Sequence, residues 1–193
     1  MTYLPLAIAL TVTATSATAH TGPDALGGFS QAFMHPLGSW AHIAVMFAVG
    51  LWAGYLGRRT AFVLPLVFAL AMAGGIGLAM QGIALPAVEL WLALSGISMG
   101  LLVALAVSPP LAISGIIIAA LAVFHGHAHG GGLTEMAEPY PFAAGLIAGA
   151  VALQACGAFL GLFAKFKIGE FVVRATGLGI AAFGVTVLNA FMN

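Results

Sequence analysis

Charged residues and cysteine are scarce in this chain, and each scarcity excludes a class of protein. Only 5% of the 193 residues are charged, whereas soluble domains carry about a quarter. This excludes an ordinary soluble domain, and a total of five Lys and Arg leaves no basic patch for nucleic acid. The single cysteine, Cys156, excludes an internal disulfide and a cage of thiolate metal ligands.

Long apolar segments make up most of the sequence. Hydrophobic residues account for 62% of it, and the mean hydropathy is +1.14. The segments can cross a bilayer as helices of about 20 residues, and they lack the alternation of β-barrel strands. They predict an all-α integral membrane helical bundle, a single domain over residues 20–193 with about six transmembrane helices. The predicted spans are 39–56, 61–80, 87–107, 111–127, 141–164 and 170–191.

Glycine is abundant, and several of the 26 glycines recur on one face of the fifth predicted span. They are Gly145, Gly149, Gly157 and Gly161. Lipid tails are as apolar as the helices, so helices associate in a membrane largely through close packing of small residues. We therefore expect these glycines to face neighbouring helices.

The N-terminus has the pattern of a signal peptide over residues 1–19. An apolar core at 4–12 is followed by Ala17-Thr18-Ala19, a small-x-small tripeptide that predicts cleavage before His20. No basic residue precedes the core, so an uncleaved anchor is the alternative. Export of this segment would place the mature N-terminus in the periplasm.

Threading the spans through a bilayer separates the histidines from the basic residues. All six histidines fall on the outer side with the exported N-terminus, and all five Lys and Arg fall on the inner side. Positive charge concentrates on the cytoplasmic side of membrane proteins, so the two cues agree on one orientation. The sequence predicts a multi-pass protein of the bacterial inner membrane. The basic residues are Arg58, Arg59, Lys165, Lys167 and Arg174.

Two histidines flank the start of the first span. On a continuous helix, His35 and His42 would lie on one face but about 10.5 Å apart along the axis. Two imidazoles that bind one ion at about 2.1 Å cannot bridge that distance. Either the chain folds back at His35, as Pro36 and Gly38 permit, or the pair marks two stations of a path.

Three more histidines end the fourth span. His125 and His129 are one helical turn apart and can share a cation, whereas His127 points elsewhere unless the following glycines open the helix. Single histidines at a membrane surface commonly bond to headgroups and water. A run of three opposite His35 and His42 favours metal binding instead.

One acidic residue can join these histidines, and catalytic groups are lacking. Glu89, at the outer start of the third span, could neutralise an entering dication or could simply interact with the helix dipole. No arrangement of residues indicates nucleophilic or acid–base catalysis, so we predict neither an enzyme nor a prosthetic group. Haem bound between His42 and a histidine of the fourth span is a remaining hypothesis.

Several stretches resemble the HupE/UreJ family. They are Ala19-His20-Thr21-Gly22, Gly28-Phe29, His35-Pro36-Leu37, 49–53, Leu85-Pro86-Ala87-Val88-Glu89 and, most specifically, 124–130. The resemblance covers nearly the whole mature chain. It implies a signal peptide and about six spans, and nickel or cobalt permease activity with Ni²⁺ or Co²⁺ as substrate. It also implies association with hydrogenase, urease or another membrane complex.

The chain departs from the family pattern at two positions. The family's first motif carries an aspartate where this chain has Ala41, and its fifth span often carries a histidine where this chain has Gln154. Fewer and less charged ligands weaken a dication site. Two functions therefore stay open: a permease whose cation ligands are His35, His42, His125, His127, His129 and Glu89, and a non-transporting accessory subunit that keeps the family fold.

Overall fold

The structure is a computed structural model that describes residues 28–192. The predicted signal peptide and His20 lie outside the described residues. The α-helices are α1 (Gly28–Met34), α2 (Trp40–Tyr55), α3 (Arg58–Met80), α4 (Val88–Ala104), α5 (Leu111–Gly130), α6 (Pro139–Gly161) and α7 (Lys167–Met192). Short 3-10 helices occur at His35–Gly38, Leu133–Glu135 and Leu162–Lys165.

The prediction of an all-α membrane protein is confirmed, whereas the count of six spans is not. The predicted spans coincide with α2 to α7, but only α3, α5, α6 and α7 are both long and apolar enough to cross a membrane. The bent pair of α1 and α2 would make a fifth span. Helix α4 is apolar but too short by this measure. Four or five spans are therefore found within residues 28–192.

The helices α2 and α3 are joined by a shorter turn than the sequence predicted. The Arg58–Arg59 pair, expected in a loop, forms the first turn of α3. Gly57 makes this turn possible because its φ of 123° lies in a region that side chains disfavour. The hydroxyl of Thr60 lies 2.7 Å from the carbonyl oxygens of both Ala53 and Gly57, to which it can donate.

Glycines allow neighbouring helices to touch backbone to backbone. A Cβ atom at Gly50 or Gly54 of α2 would overlap the carbonyl of Gln154 or Ala158 of α6. Similar contacts join α3 to α5 and α4 to α7. Close packing of this kind supplies much of the attraction between helices in a membrane.

The packing role predicted for the glycines of α6 is confirmed. Gly145 and Gly149 lie against α1, and Gly157 and Gly161 lie against α2. Helix α6 therefore packs against both α1 and α2, and this packing fixes the position of the segment between them.

Helix α2 occupies the centre of the bundle, and large apolar side chains cover the outside. Trp52 of α2 is fully buried and donates its indole N–H to the carbonyl of Val107 at 2.9 Å. By contrast, Phe62, Ile116 and Ile168 are largely exposed, as expected for helix faces that contact lipid. The two ends of α2 carry different chemistry, with histidines near Trp40 and basic residues beyond Tyr55.

Candidate cation site

A sharp bend brings the first two histidines together. The segment Gly28–Gly38 meets α2 at 89°, with Ser39 in extended conformation between them. The ring centroids of His35 and His42 are consequently 6.0 Å apart. Of the two alternatives for this pair, the structure therefore shows the folded-back one.

The end of α5 supplies two more rings. Because residues four apart lie on the same helix face, His125 and His129 both face α2. His129 lies 5.1 Å from His35 and 5.2 Å from His42 between ring centroids, and His125 lies 6.4 Å from His42. We call His35, His42, His125 and His129 the histidine cluster.

His127 is not part of the histidine cluster. A residue two positions along a helix is rotated by about 200°, so its side chain leaves α5 on another face. There its Nε2 donates to the carbonyl of Ile83 at 2.8 Å. The structure thus brings together four of the five predicted histidine ligands and places His127 elsewhere, because α5 stays helical to Gly130 instead of opening at its glycines.

Two rings of the histidine cluster have nitrogen atoms in different hydrogen-bonding states. The Nδ1 atom of His125 donates to the carbonyl of Leu121 at 3.0 Å, which leaves the Nε2 lone pair of the neutral ring free to act as a ligand. The Nδ1 atom of His42 is buried and has no hydrogen-bond partner among residues 28–192. Buried polar atoms without a partner are rare, and they commonly mark a functional site.

Glu89 lines a cavity together with two members of the histidine cluster, His42 and His125. A cavity of about 230 Å³ is lined by His42, His125 and Glu89, together with Ala41 at the start of α2. The remaining wall is largely apolar and includes Val45. A cation in this cavity would meet the imidazoles of His42 and His125 and the carboxyl group of Glu89.

The spacing of the rings suits shared binding of a cation more than a closed metal site. Two imidazoles on one tetrahedral ion have ring centroids about 5 Å apart, close to the separations of His129 from His35 and His42. Within residues 28–192, however, no three His, Cys, Asp or Glu side chains converge into a metal site. The cluster is thus an open arrangement of ligands.

A second cavity lies at the opposite end of α2. It has a volume of about 700 Å³ and is lined by Tyr55, Arg58, Lys165 and Glu170, among others. The sequence pattern indicated only a role in membrane orientation for Arg58 and Lys165, and it did not predict a cavity. Gly54 of α2 and Gly161 of α6 also line this cavity. These two glycines are the sequence feature from which the cavity could have been predicted.

Comparison with known proteins agrees with this architecture. The family described as HupE / UreJ protein matches residues 8–187. The chain is also 38% identical over 172 residues to Protein HupE of Rhizobium leguminosarum bv. viciae, which covers 89% of this chain and 90% of that protein. No solved structure matches the chain.

Proposed function

This chain belongs to the HupE/UreJ family, and we propose that it is an inner-membrane permease for a divalent transition-metal cation, Ni²⁺ or Co²⁺. The observation that carries the proposal is the histidine cluster beside the cavity that Glu89 lines. Imidazole is a good ligand for nickel and for the other late first-row metals. His125 is buried and His42 and His129 are half-buried within membrane helices, where histidines are costly and mark function by default.

An open cluster fits transport better than permanent binding. A transported ion must be bound strongly enough to leave water and weakly enough to move on. The four rings offer neutral nitrogen ligands in pairs, and the Glu89 carboxylate compensates part of the charge of the entering ion. A closed cage of four ligands would hold the ion too tightly to release it.

The distribution of charge supports inward movement from the periplasm. The histidine cluster and Glu89 lie near the N-terminal end of α2, whereas Arg58 and Lys165 line the cavity at its C-terminal end. If the basic end faces the cytoplasm, the histidine end faces the periplasm. The substrate would then enter at the cavity of about 230 Å³ and leave by the larger one.

A second candidate function is a non-transporting accessory subunit of a hydrogenase, a urease or another membrane complex. The observation that favours it is Ala41, which lines the cavity with a methyl group where the family motif carries a carboxylate. Loss of that charge weakens the site for a dication.

Ion flux into liposomes tests the proposal. Purified protein is reconstituted, and Ni²⁺ or Co²⁺ entry is followed with a trapped indicator for wild type, His42→Ala and His127→Ala. We expect flux in the wild type, a loss of about tenfold or more in His42→Ala, and little change in His127→Ala. Wild-type liposomes that are no more permeable than empty ones would favour the accessory subunit.

A further inference from the structure

A buried polar side chain lies deeper in the bundle than the histidine cluster. Gln154 of α6 is fully buried, and its Oε1 atom has no hydrogen-bond partner among the described residues. Among residues 28–192, its Nε2 atom makes only a weak contact, 3.9 Å long, with the sulfur of Met46. A buried acceptor left unpaired costs about 1–3 kcal/mol of stability, so packing does not explain this glutamine.

The pair of Met46 and Gln154 lies one helical turn inward from the histidine cluster. Met46 follows His42 by four residues on α2, which places it on the same face and about 6 Å further along the axis. Met46 is as buried as Gln154. Val45, beside it in the chain, lines the cavity that also contains His42 and Glu89.

The same pair lies between the two cavities. Along α2, the histidine-side cavity reaches Val45 and the larger cavity begins at Gly54. The segment between them is closed by the contact of Gly50 with the backbone of Gln154 itself. Met46, next to Val45, and Gln154, whose backbone meets Gly50, therefore lie between the two cavities along α2 without lining either of them.

The two side chains offer the chemistry that a partly dehydrated cation needs. An amide oxygen and a thioether sulfur are neutral ligands, and neither has to lose a proton to bind. Neutral ligands bind weakly, as a station in a conducting path must. The Oε1 atom would gain the partner that residues 28–192 do not provide.

We propose that Gln154 Oε1 and Met46 Sδ form a second, inner station for a borderline divalent cation such as Ni²⁺, between the histidine cluster and the closed α2–α6 interface. This station rests on the proposed permease function and adds a step to it. The ion passes from the imidazoles to the amide and thioether before it reaches the larger cavity.

The test compares Gln154→Leu and Met46→Leu with Met99→Leu. Met99 is an equally buried methionine, but it lies on α4, which packs against α2, α5 and α7. Replacing an unpaired buried amide by an apolar side chain of similar size should leave the fold as stable as before or more so. Ni²⁺ flux is measured in liposomes, Ni²⁺ binding by calorimetry and stability by thermal unfolding. A fourth variant, Gln154→His, supplies a ring nitrogen in place of the amide oxygen.

The expected result is a loss of flux of about tenfold in Gln154→Leu and Met46→Leu, with Ni²⁺ affinity at the histidine cluster unchanged. Flux in Met99→Leu should stay near the wild-type value. Flux in Gln154→His should exceed flux in Gln154→Leu. If Gln154→Leu has wild-type flux while His42→Ala loses flux, the inner station is refuted and the permease function is retained. Equal losses in all three leucine variants would assign the effect to packing and overturn the station. Absence of flux in the wild type would overturn both proposals.

Discussion

The ring centroids of His42 and His129 lie 5.2 Å apart, and this contact joins two helices that pack mainly on other partners. Helix α2 packs chiefly on α6, and α5 packs chiefly on α3. The histidines therefore meet across a space between helices. A cation can enter such a space by displacing side chains, without separating a tightly packed pair of backbones.

This geometry predicts unequal roles for two neighbouring histidines of α5. His129→Ala should weaken Ni²⁺ binding about 10–100-fold because it removes the ring that lies near both His35 and His42. His127→Ala is the matched control, since it removes an imidazole from the same turn that bonds to Ile83 instead. Calorimetric titration of the purified variants measures both affinities. Equal losses in the two variants would contradict the assignment of the cluster.

Much of the site could be predicted from local sequence because helical periodicity decides which side chains share a face. The one-turn spacing of His125 and His129 was enough to pair them. His127 was included among the predicted ligands although periodicity places it on another helix face, and the structure places it beside Ile83. Glu89 was expected at the outer start of its helix, and it lines the cavity with His42.

The rest depended on contacts between residues far apart in the chain. Whether His35 folds back onto His42 depends on the packing of α1 against α6, and spacing along the chain does not reveal that packing. Helix α4 is shorter than the predicted span 87–107, because Ala87 and Ala106, with φ of 53° and 55°, lie outside the helical region and limit the helix to Val88–Ala104. From the sequence, Gln154 was interpreted as the replacement of a histidine of the family. Only the fold shows that Met46 lies beside it.

The glycine interface between α2 and α6 predicts a large difference between two similar substitutions. Gly50→Ala should destabilise the protein by about 1–3 kcal/mol because the new methyl group meets the carbonyl of Gln154. Gly74→Ala on α3 is the control, since a Cβ atom there has nothing within 4 Å. Thermal unfolding in detergent, followed by helical circular dichroism, compares them. Similar melting temperatures would argue against the tight interface.

The proposed orientation predicts which ends of the helices react with reagents outside the cell. Cysteines replace Arg58, Lys167 or His127 one at a time in a Cys156→Ser background, because Cys156 itself is exposed. A membrane-impermeant thiol reagent should label position 127 in intact spheroplasts. Positions 58 and 167 should react only after the membrane is permeabilised. Labelling of position 58 from outside would reverse the orientation, and with it the proposed direction of transport.

A carboxylate at position 41 should strengthen the candidate site. Ala41 lines the same cavity as His42 and Glu89, so the side chain of Ala41→Asp would enter it. There it could bind the cation directly or orient an imidazole by accepting its ring N–H, an effect typically of about 10–100-fold in affinity. Ala41→Asn is the control because it has nearly the same shape and no charge.

Calorimetric titration of the two variants with Ni²⁺ at neutral pH tests this prediction. The carboxylate of Ala41→Asp can attract the dication and accept a ring N–H, whereas the amide of Ala41→Asn carries no charge. We expect Ala41→Asp to bind Ni²⁺ about 10-fold or more tightly than Ala41→Asn. Equal affinities of correctly folded Ala41→Asp and Ala41→Asn would mean that the cavity no longer serves a dication, and the accessory-subunit function would then be the better explanation of the fold.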